Sequence, residues 1–264
     1  MNITVVKVGG AVVEDEAQLQ QLISDFADIP GPKVLVHGGG RRATKVAAQL
    51  GIESRMVNGR RITDAQMLDV VTMVYGGLVN KHLVASLQAK GINAVGLTGA
   101  DMNIISSHRR PPKTMTVDGE ETTVDFGFVG DVDRADGLAI ASLLAQGITP
   151  VIAPLTHDGM GNMLNTNADT MAAETAKALA KEHIVTLVFS FEKAGVLANA
   201  DDDTSVIPVI TRDSFNSLCA QGIISGGMLP KIENALDAVD AGVKKVVITL
   251  ATRIAADGGT KVTK

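Results

Sequence analysis

A handful of residues in this chain have types and spacings suited to handling anions. Lys7 stands near the end of a β-branched run, Ile3 to Val8, two residues before Gly9-Gly10. An unpaired ammonium is expensive to bury. Lys7 must therefore snorkel to solvent or meet an anion at the strand end, and the glycine turn beside it favours the anion. Gly38-Gly39-Gly40 follows a second apolar run, Lys33 to His37, and leads into a helical pattern. Glycine lets the backbone approach a ligand closely and take φ > 0. The helix N-terminus beyond it supplies unpaired N–H groups and the positive end of a dipole. Two such turns suggest a divided anion site, although a lone Gly-Gly is as readily just a tight turn. Arg61 lies in the hairpin-like turn Asn58-Gly59-Arg60-Arg61. A guanidinium can take a carboxylate bidentately, while one of two adjacent arginines on a turn is usually a solvated charge. In Asn165-Thr166-Asn167-Ala168-Asp169, Asn167 can cap a helix and Asp169 can complement its dipole. That account leaves Asn165 unexplained. Lys231 falls in the first turn of another helix, where the dipole disfavours a cation. It needs a nearby anion or simple exposure.

Other chemistries lack their signatures. There is no GxxxxGK[ST] phosphate loop and no GxGxxG dinucleotide fingerprint. No His/Cys cluster suits zinc, and no metal-ligating set is assigned. The formal net charge of −5 gives no broad basic face for nucleic acid, but anion sites are local and are not excluded by it.

The elements that would position these residues read as strands alternating with helices. Strands are expected at Ile3–Val8, 33–37, 94–97, 149–153, 184–189 and, as the last one, 246–250. Helices are expected at 14–26, 41–50, 64–90, 135–146, 167–181, 212–220 and 228–241. Gly76-Gly77 could bend the long one, and Thr63 or Asp64 could cap it. Residues 104–130, with Pro111-Pro112 and Asp118-Gly119, read as hairpins outside the main sheet. Asn199–Asp203 reads as a polar loop tip. This alternation implies an α/β fold, a mostly parallel open sheet with helices on both faces. A core without Trp and with only one Tyr and six Phe must be aliphatic, as buried parallel strands are. A soft boundary near Leu155 to Leu164 divides the 264 residues into lobes 1–160 and 161–264. The single Cys219 forbids an intrachain disulfide and suits a reducing compartment. The N-terminus reads as a strand rather than a signal peptide, and no stretch is expected to reach transmembrane length. A cytoplasmic protein with no membrane or nucleic-acid partner is the expectation.

Taken in order, Lys7-Val8-Gly9-Gly10, Val36-His37-Gly38-Gly39-Gly40, Asn58-Gly59-Arg60-Arg61-Ile62-Thr63, Asn80-Lys81, Asn165–Asp169 and Gly227-Met228-Leu229-Pro230-Lys231 resemble the amino acid kinase family over nearly the whole chain. NGxRxT and NxNAD are the most specific parts, and they resemble the members that phosphorylate N-acylglutamates. The resemblance implies a three-layer αβα sandwich with an acylglutamate-binding, dimer-forming N-terminal lobe and a nucleotide-binding C-terminal lobe. It implies that ATP, with Mg²⁺, phosphorylates the γ-carboxylate of N-acetyl-L-glutamate in arginine biosynthesis. Lys7 and Lys231 would flank the moving phosphoryl group, with Asp169 holding both. Gly9, Gly10 and Gly39 would offer N–H groups to phosphates, and Gly195 and Lys231 would contact the nucleotide. Gly39, Gly40, Arg61 and Asn165 would hold the acylglutamate, with Arg61 on its α-carboxylate. A homodimer insensitive to free arginine is expected, because the extra N-terminal helix of arginine-inhibited members is not seen.

Two segments depart from the family pattern. Ser190-Phe191-Glu192-Lys193-Ala194-Gly195 stands where an acidic SDVxG-like turn is usual, and Gly226-Gly227-Met228 stands where DGM is frequent. Alternatives therefore remain: an N-succinyl-L-glutamate kinase, to which the basic His108-Arg109-Arg110 hairpin could contribute; a kinase for another small acid; a non-catalytic ligand sensor of the same fold; and, against the missing fingerprint, a nicotinamide-dependent oxidoreductase.

Overall fold

The structure is a computed structural model describing all residues except Asp118, Ala200, Ala256 and Asp257, with only the backbone described at Gly227 and Pro230. The expected Asp118 turn position and Ala200 of the expected loop tip lie outside the described residues. Eight strands form the main sheet, in the order Val209–Ile210, Thr260–Val262, Lys245–Leu250, Ile184–Phe191, Asn2–Val8, Lys33–His37, Thr149–Ile152, Ala94–Leu97. Six run parallel. Thr260–Val262 is antiparallel to Lys245–Leu250 and parallel to Val209–Ile210. Lys245–Leu250 is therefore not the last strand, contrary to the sequence reading.

Both faces of the sheet are covered, which explains why its strands are mostly apolar on both faces. In the central strand Asn2–Val8, alternate side chains point to opposite faces. Ile3 and Val5 join a core built with the helices Gly137–Ala145, Ala168–Ala180, Arg212–Ala220 and Leu229–Asp240. Val6 and Val8 join a second core with the helices Glu16–Asp28, Gly40–Gln49 and Ala65–Gln88. The result is the three-layer αβα sandwich. Lys7 shares the face of Ile3 and Val5 and so points toward the layer containing Ala168–Ala180.

A second, four-stranded sheet joins Met163–Asn165, Leu155–His157, Ile105–Arg109 and Gly130–Ala135, and Lys113–Val117 pairs with Glu120–Val124 as a separate hairpin. The hairpins expected within 104–130 are present outside the main sheet, while Leu155–His157, Met163–Asn165 and the end of Gly130–Ala135 were not expected as strands. The expected lobe boundary is itself a hairpin of the second sheet. The helix expected at 14–26 is Glu16–Asp28, and a short helix that was not expected, Gly10–Glu14, precedes it; Asp15 between them caps the second, its carboxylate accepting from Gln18 N at 3.0 Å.

Ala65–Gln88 is long and apolar enough to cross a membrane by length and composition, so the expectation that no stretch would reach that length is corrected. Here it is a core helix: Met67, Val70, Val71, Val74, Tyr75, Val79, Leu83 and Leu87 are buried against the sheet layer. Asp64 caps it, accepting from Met67 N at 2.9 Å. Its centre, Thr72–Val79, widens into a π-helical segment across Gly76-Gly77, an irregularity that recurs at functional sites.

Candidate active site

The two glycine turns lie side by side at the carboxyl ends of adjacent strands, the usual ligand side of an open α/β sheet. A Cβ on Gly10 would sit 3.1 Å from Gly39 N, and one on Gly38 would sit 3.0 Å from Gly10 N. Backbone thus packs on backbone. The sequence reading also invoked left-handed backbone here, and that part is corrected: Gly9, Gly10, Gly38, Gly39 and Gly40 are absent from the positive-φ glycines. Close approach demands glycine at Gly10, Gly38 and Gly39, whereas a Cβ on Gly9 or Gly40 would meet nothing closer than 3.8 Å. A Cβ on Gly39 would also strike the Tyr75 ring at 2.9 Å. Neither Gly9 nor Gly39 has a side chain to cap the helix it precedes, so the N–H groups of Gly40–Gln49 stay available.

Beneath these turns lies Lys7. Its Nζ is 2.8 Å from Asp169 Oδ1, with the lysine side chain only 12% exposed. The contact is electrostatic, since Oδ1 accepts no well-angled hydrogen bond. Asp169 is held at the start of Ala168–Ala180 because Asn167 caps that helix, its Oδ1 accepting from Asp169 N and Thr170 N at 2.8 and 3.2 Å. Asn167 thus caps the helix as expected, and Asp169 holds one of the two lysines, Lys7. Lys231 is placed differently from the expectation. Among the described residues it has no ion pair with Asp169; its Nζ lies over the Phe191 ring, 4.4 Å from the centroid. Lys7, Gly9, Gly10, Gly40, Ser190, Phe191, Gly195 and Lys231 line one cavity of about 540 Å³. Ser190 Oγ is buried there without a partner, a polar atom that lacks its complement. Gly195 lines the same cavity, and a Cβ on it would meet Val206 at 2.7 Å and Thr260 Oγ1 at 2.8 Å.

A second cavity, about 220 Å³, adjoins at Gly40 and is lined by Gly39, Arg60, Arg61, Tyr75, Arg110 and Asn165, among others. Arg61 is 9% exposed. Its Nη2 donates to Gly40 O and Thr44 Oγ1, both at 2.9 Å, and its Nη1 donates to Ser54 Oγ. No described carboxylate pairs with it. A buried cation without a counter-ion is costly, and here it borders a cavity that could take one. The Tyr75 hydroxyl is pushed up by burial, against the opposing charge and hydrogen bond of Arg61. Asn165 Nδ2 donates to Thr63 Oγ1 at 2.9 Å, which fixes the amide at the cavity wall. Nearby, Arg110 forms a fork with Asp131 and holds its carboxyl low. Burial, then the charge of Arg110, lowers the pKa of Arg60.

The sequence assigned no role to His37. It is fully buried. Its Nδ1 is 2.8 Å from Gly38 O, which can only accept, so Nδ1 carries the proton and Nε2 accepts from Asn80 Nδ2 at 3.1 Å. Asn80 also donates to Val151 O, and its own Oδ1 accepts from Lys81 Nζ. Burial first, then the Lys81 charge, lowers the His37 pKa to about 4. The adjacency of His37 to the glycines, and the Asn-Lys pair, were the available signals, but their meeting across 43 residues was not visible in the sequence.

Among the described residues no group of three or more His, Cys, Asp or Glu could hold a metal ion. The two lysines, the N–H groups and the orphaned Ser190 hydroxyl fit a phosphate chain. The same residues do not form a resident metal site.

Comparison with known proteins agrees with this geometry. A profile of the amino acid kinase family matches residues 2–250. The chain is 62% identical to the acetylglutamate kinase of Bacteroides fragilis over 99% of this chain and 97% of that protein. It is 50% identical to that of Cytophaga hutchinsonii over 92% and 89%. Among solved structures, the Streptococcus mutans protein smu.665 superposes with a TM-score of 0.76 at 28% identity, covering 99% of this chain and 98% of that one. Giardia lamblia carbamate kinase bound to AMP-PNP shares the fold at 14% identity, with a TM-score of 0.67 over 99% and 98%. The profile match and the near relatives, together with the parallel sheet and the paired glycine turns, show that the chain belongs to the amino acid kinase family.

Proposed function

We propose that this protein transfers the γ-phosphoryl group of ATP to the γ-carboxylate of N-acetyl-L-glutamate, forming an acyl phosphate in arginine biosynthesis. The observation that carries the reading is Arg61: a buried guanidinium without an acid partner among the described residues, in a cavity that meets the lysine-lined cavity at Gly40. The names of the near relatives support it.

In this reading Arg61 takes the α-carboxylate, Asn165 and the backbone of Gly39 and Gly40 hold the remaining polar groups, and the γ-carboxylate points toward Gly40. Being ionised at neutral pH, that carboxylate is already a nucleophile and needs no general base. The difficulty is bringing two anions into line, which positioning and fixed positive groups address. Lys7, fixed by Asp169, and Lys231 flank the phosphoryl group. Gly9, Gly10 and Gly39 present N–H groups to it, and Gly195 leaves room for the nucleotide. A divalent cation such as Mg²⁺ would arrive on the phosphate oxygens and neutralise charge there. We assign residues 1–160 to the acylglutamate side and 161–264 to the nucleotide side of one continuous sheet, in a cytoplasmic enzyme. Met73 and Leu78, exposed on the helix Ala65–Gln88, suggest the face of a homodimer.

A second reading, N-succinyl-L-glutamate as substrate, is favoured by Arg60. It lines the same cavity as Arg61 and has no described acid partner, so it could meet an additional carboxylate. The deciding experiment traps the acyl phosphate with hydroxylamine, with ATP and Mg²⁺ and each acylglutamate in turn. Turnover of the acetyl compound supports the first reading, and a large preference for the succinyl compound supports the second. Silence with both rejects both.

A further inference from the structure

Lys231 is held unlike Lys7, and the difference lies in the segment that departs from the family pattern. Phe191 ends the strand Ile184–Phe191, paired there with Leu250. Two residues earlier on the same strand face, Phe189 stacks on it with centroids 6.3 Å apart and planes inclined by 23°. Phe189 is buried in the core, so the Phe191 ring rests on a fixed base and turns one face to the cavity it lines. Lys231 Nζ lies over Phe191 at 4.4 Å from the ring centroid, and no described carboxylate approaches it.

An aromatic face attracts an ammonium through its quadrupole. It does not neutralise the charge and it takes up none of the strong, directional donor capacity of the three N–H groups. A carboxylate would do both. The ring can therefore fix the position of Lys231 while leaving its full charge for phosphate oxygens. We propose that Phe191 is the positioning residue for Lys231, an aromatic seat that holds the lysine in the nucleotide cavity with its charge unspent. The proposal rests on the kinase reading for the role of Lys231, but the contact itself does not.

The test compares Phe191→Leu, which keeps apolar volume and loses the face, with Phe191→Tyr, which keeps the face. Each is also made in a Lys231→Ala background. The seat predicts about tenfold lower kcat for F191L with the acylglutamate KM unchanged, and recovery to within about threefold in F191Y. It also predicts no further loss from F191L once Lys231 is alanine. An equal loss in both backgrounds, or a rise in ATP KM alone, would overturn it, since Phe191 would then serve the fold or the nucleotide directly. A second readout needs no turnover: NMR of ¹³C-methylated lysines should show a ring-current shift of Lys231 that F191L abolishes and F191Y keeps. Absence of that shift in the wild type also overturns the proposal. Should the wild type phosphorylate neither acylglutamate while the shift is present, the kinase reading fails and the seat stands.

Discussion

Arg60 and Arg61 show how much one position along a strand decides. They form one short strand, Arg60–Arg61, whose side chains alternate. Arg60 is exposed, whereas Arg61 is buried and held by Gly40 O, Thr44 and Ser54. A lysine has neither the fork nor the planar donors to keep those contacts and bind a carboxylate too. Arg61→Lys should raise the KM for the acylglutamate by about thirtyfold, roughly 2 kcal/mol, with the ATP KM unchanged; steady-state kinetics in both substrates checks this. Lys7 lines the other cavity, the one it shares with Lys231. Lys7→Ala should lower kcat by about 10² to 10³, the usual loss when one fixed charge-stabilising group is removed. It should also leave Asp169 without its described cation, so thermal denaturation should register the change as well.

The elements present these residues through contacts that tolerate no extra atoms. Gly38→Ala places a carbon 3.0 Å from the backbone nitrogen of Gly10, where no flexible side chain can yield. It should cost about 1–3 kcal/mol of stability by overpacking, and the misplaced N–H groups should raise the ATP KM. The buried His37 bridges strand, turn and helix in its neutral form. With a folded pKa of about 4 against about 6.5 when unfolded, the unfolded chain binds the extra proton first as pH falls. Stability should therefore be complete above about pH 6.5 and decline by about 3 kcal/mol down to pH 4. His37→Gln should flatten that window in urea titrations run across the pH range. The alternation of strands and helices was legible because strands buried on both faces give unbroken aliphatic runs such as Val34–Val36. Val209–Ile210 and Thr260–Val262 were not, because two or three residues carry no period. The π-helical stretch was hidden by its composition, since TMVYGGLV is apolar all round and favours no face.

At the scale of the whole molecule, the anion-handling residues were legible as a set, while their partners were not. Lys7, Asn165, Lys231 and the glycines stand out against local expectation. The Phe191 seat under Lys231 joins residues 40 apart in the chain, and nothing in either segment points to the other. The exposed Met73 and Leu78 predict a dimer. Light scattering should give twice the chain mass, and charged substitution of both residues should give monomers.

The sheet order has a consequence for how the chain is made. Asn2–Val8 precedes the other strands of the sheet in the chain and lies between Lys33–His37 and Ile184–Phe191. One edge can pair within the first forty residues, while the other waits for residues near 190. At about 5–20 residues per second on the ribosome, that edge stays open for roughly ten seconds or more. Contacts so distant in sequence also slow the final search. The nascent chain must therefore carry an unpaired strand edge while the residues between His37 and Ile184 are added, where chaperones or neighbouring nascent chains can reach it. The meeting of Lys7 with Asp169 belongs among the late events of folding.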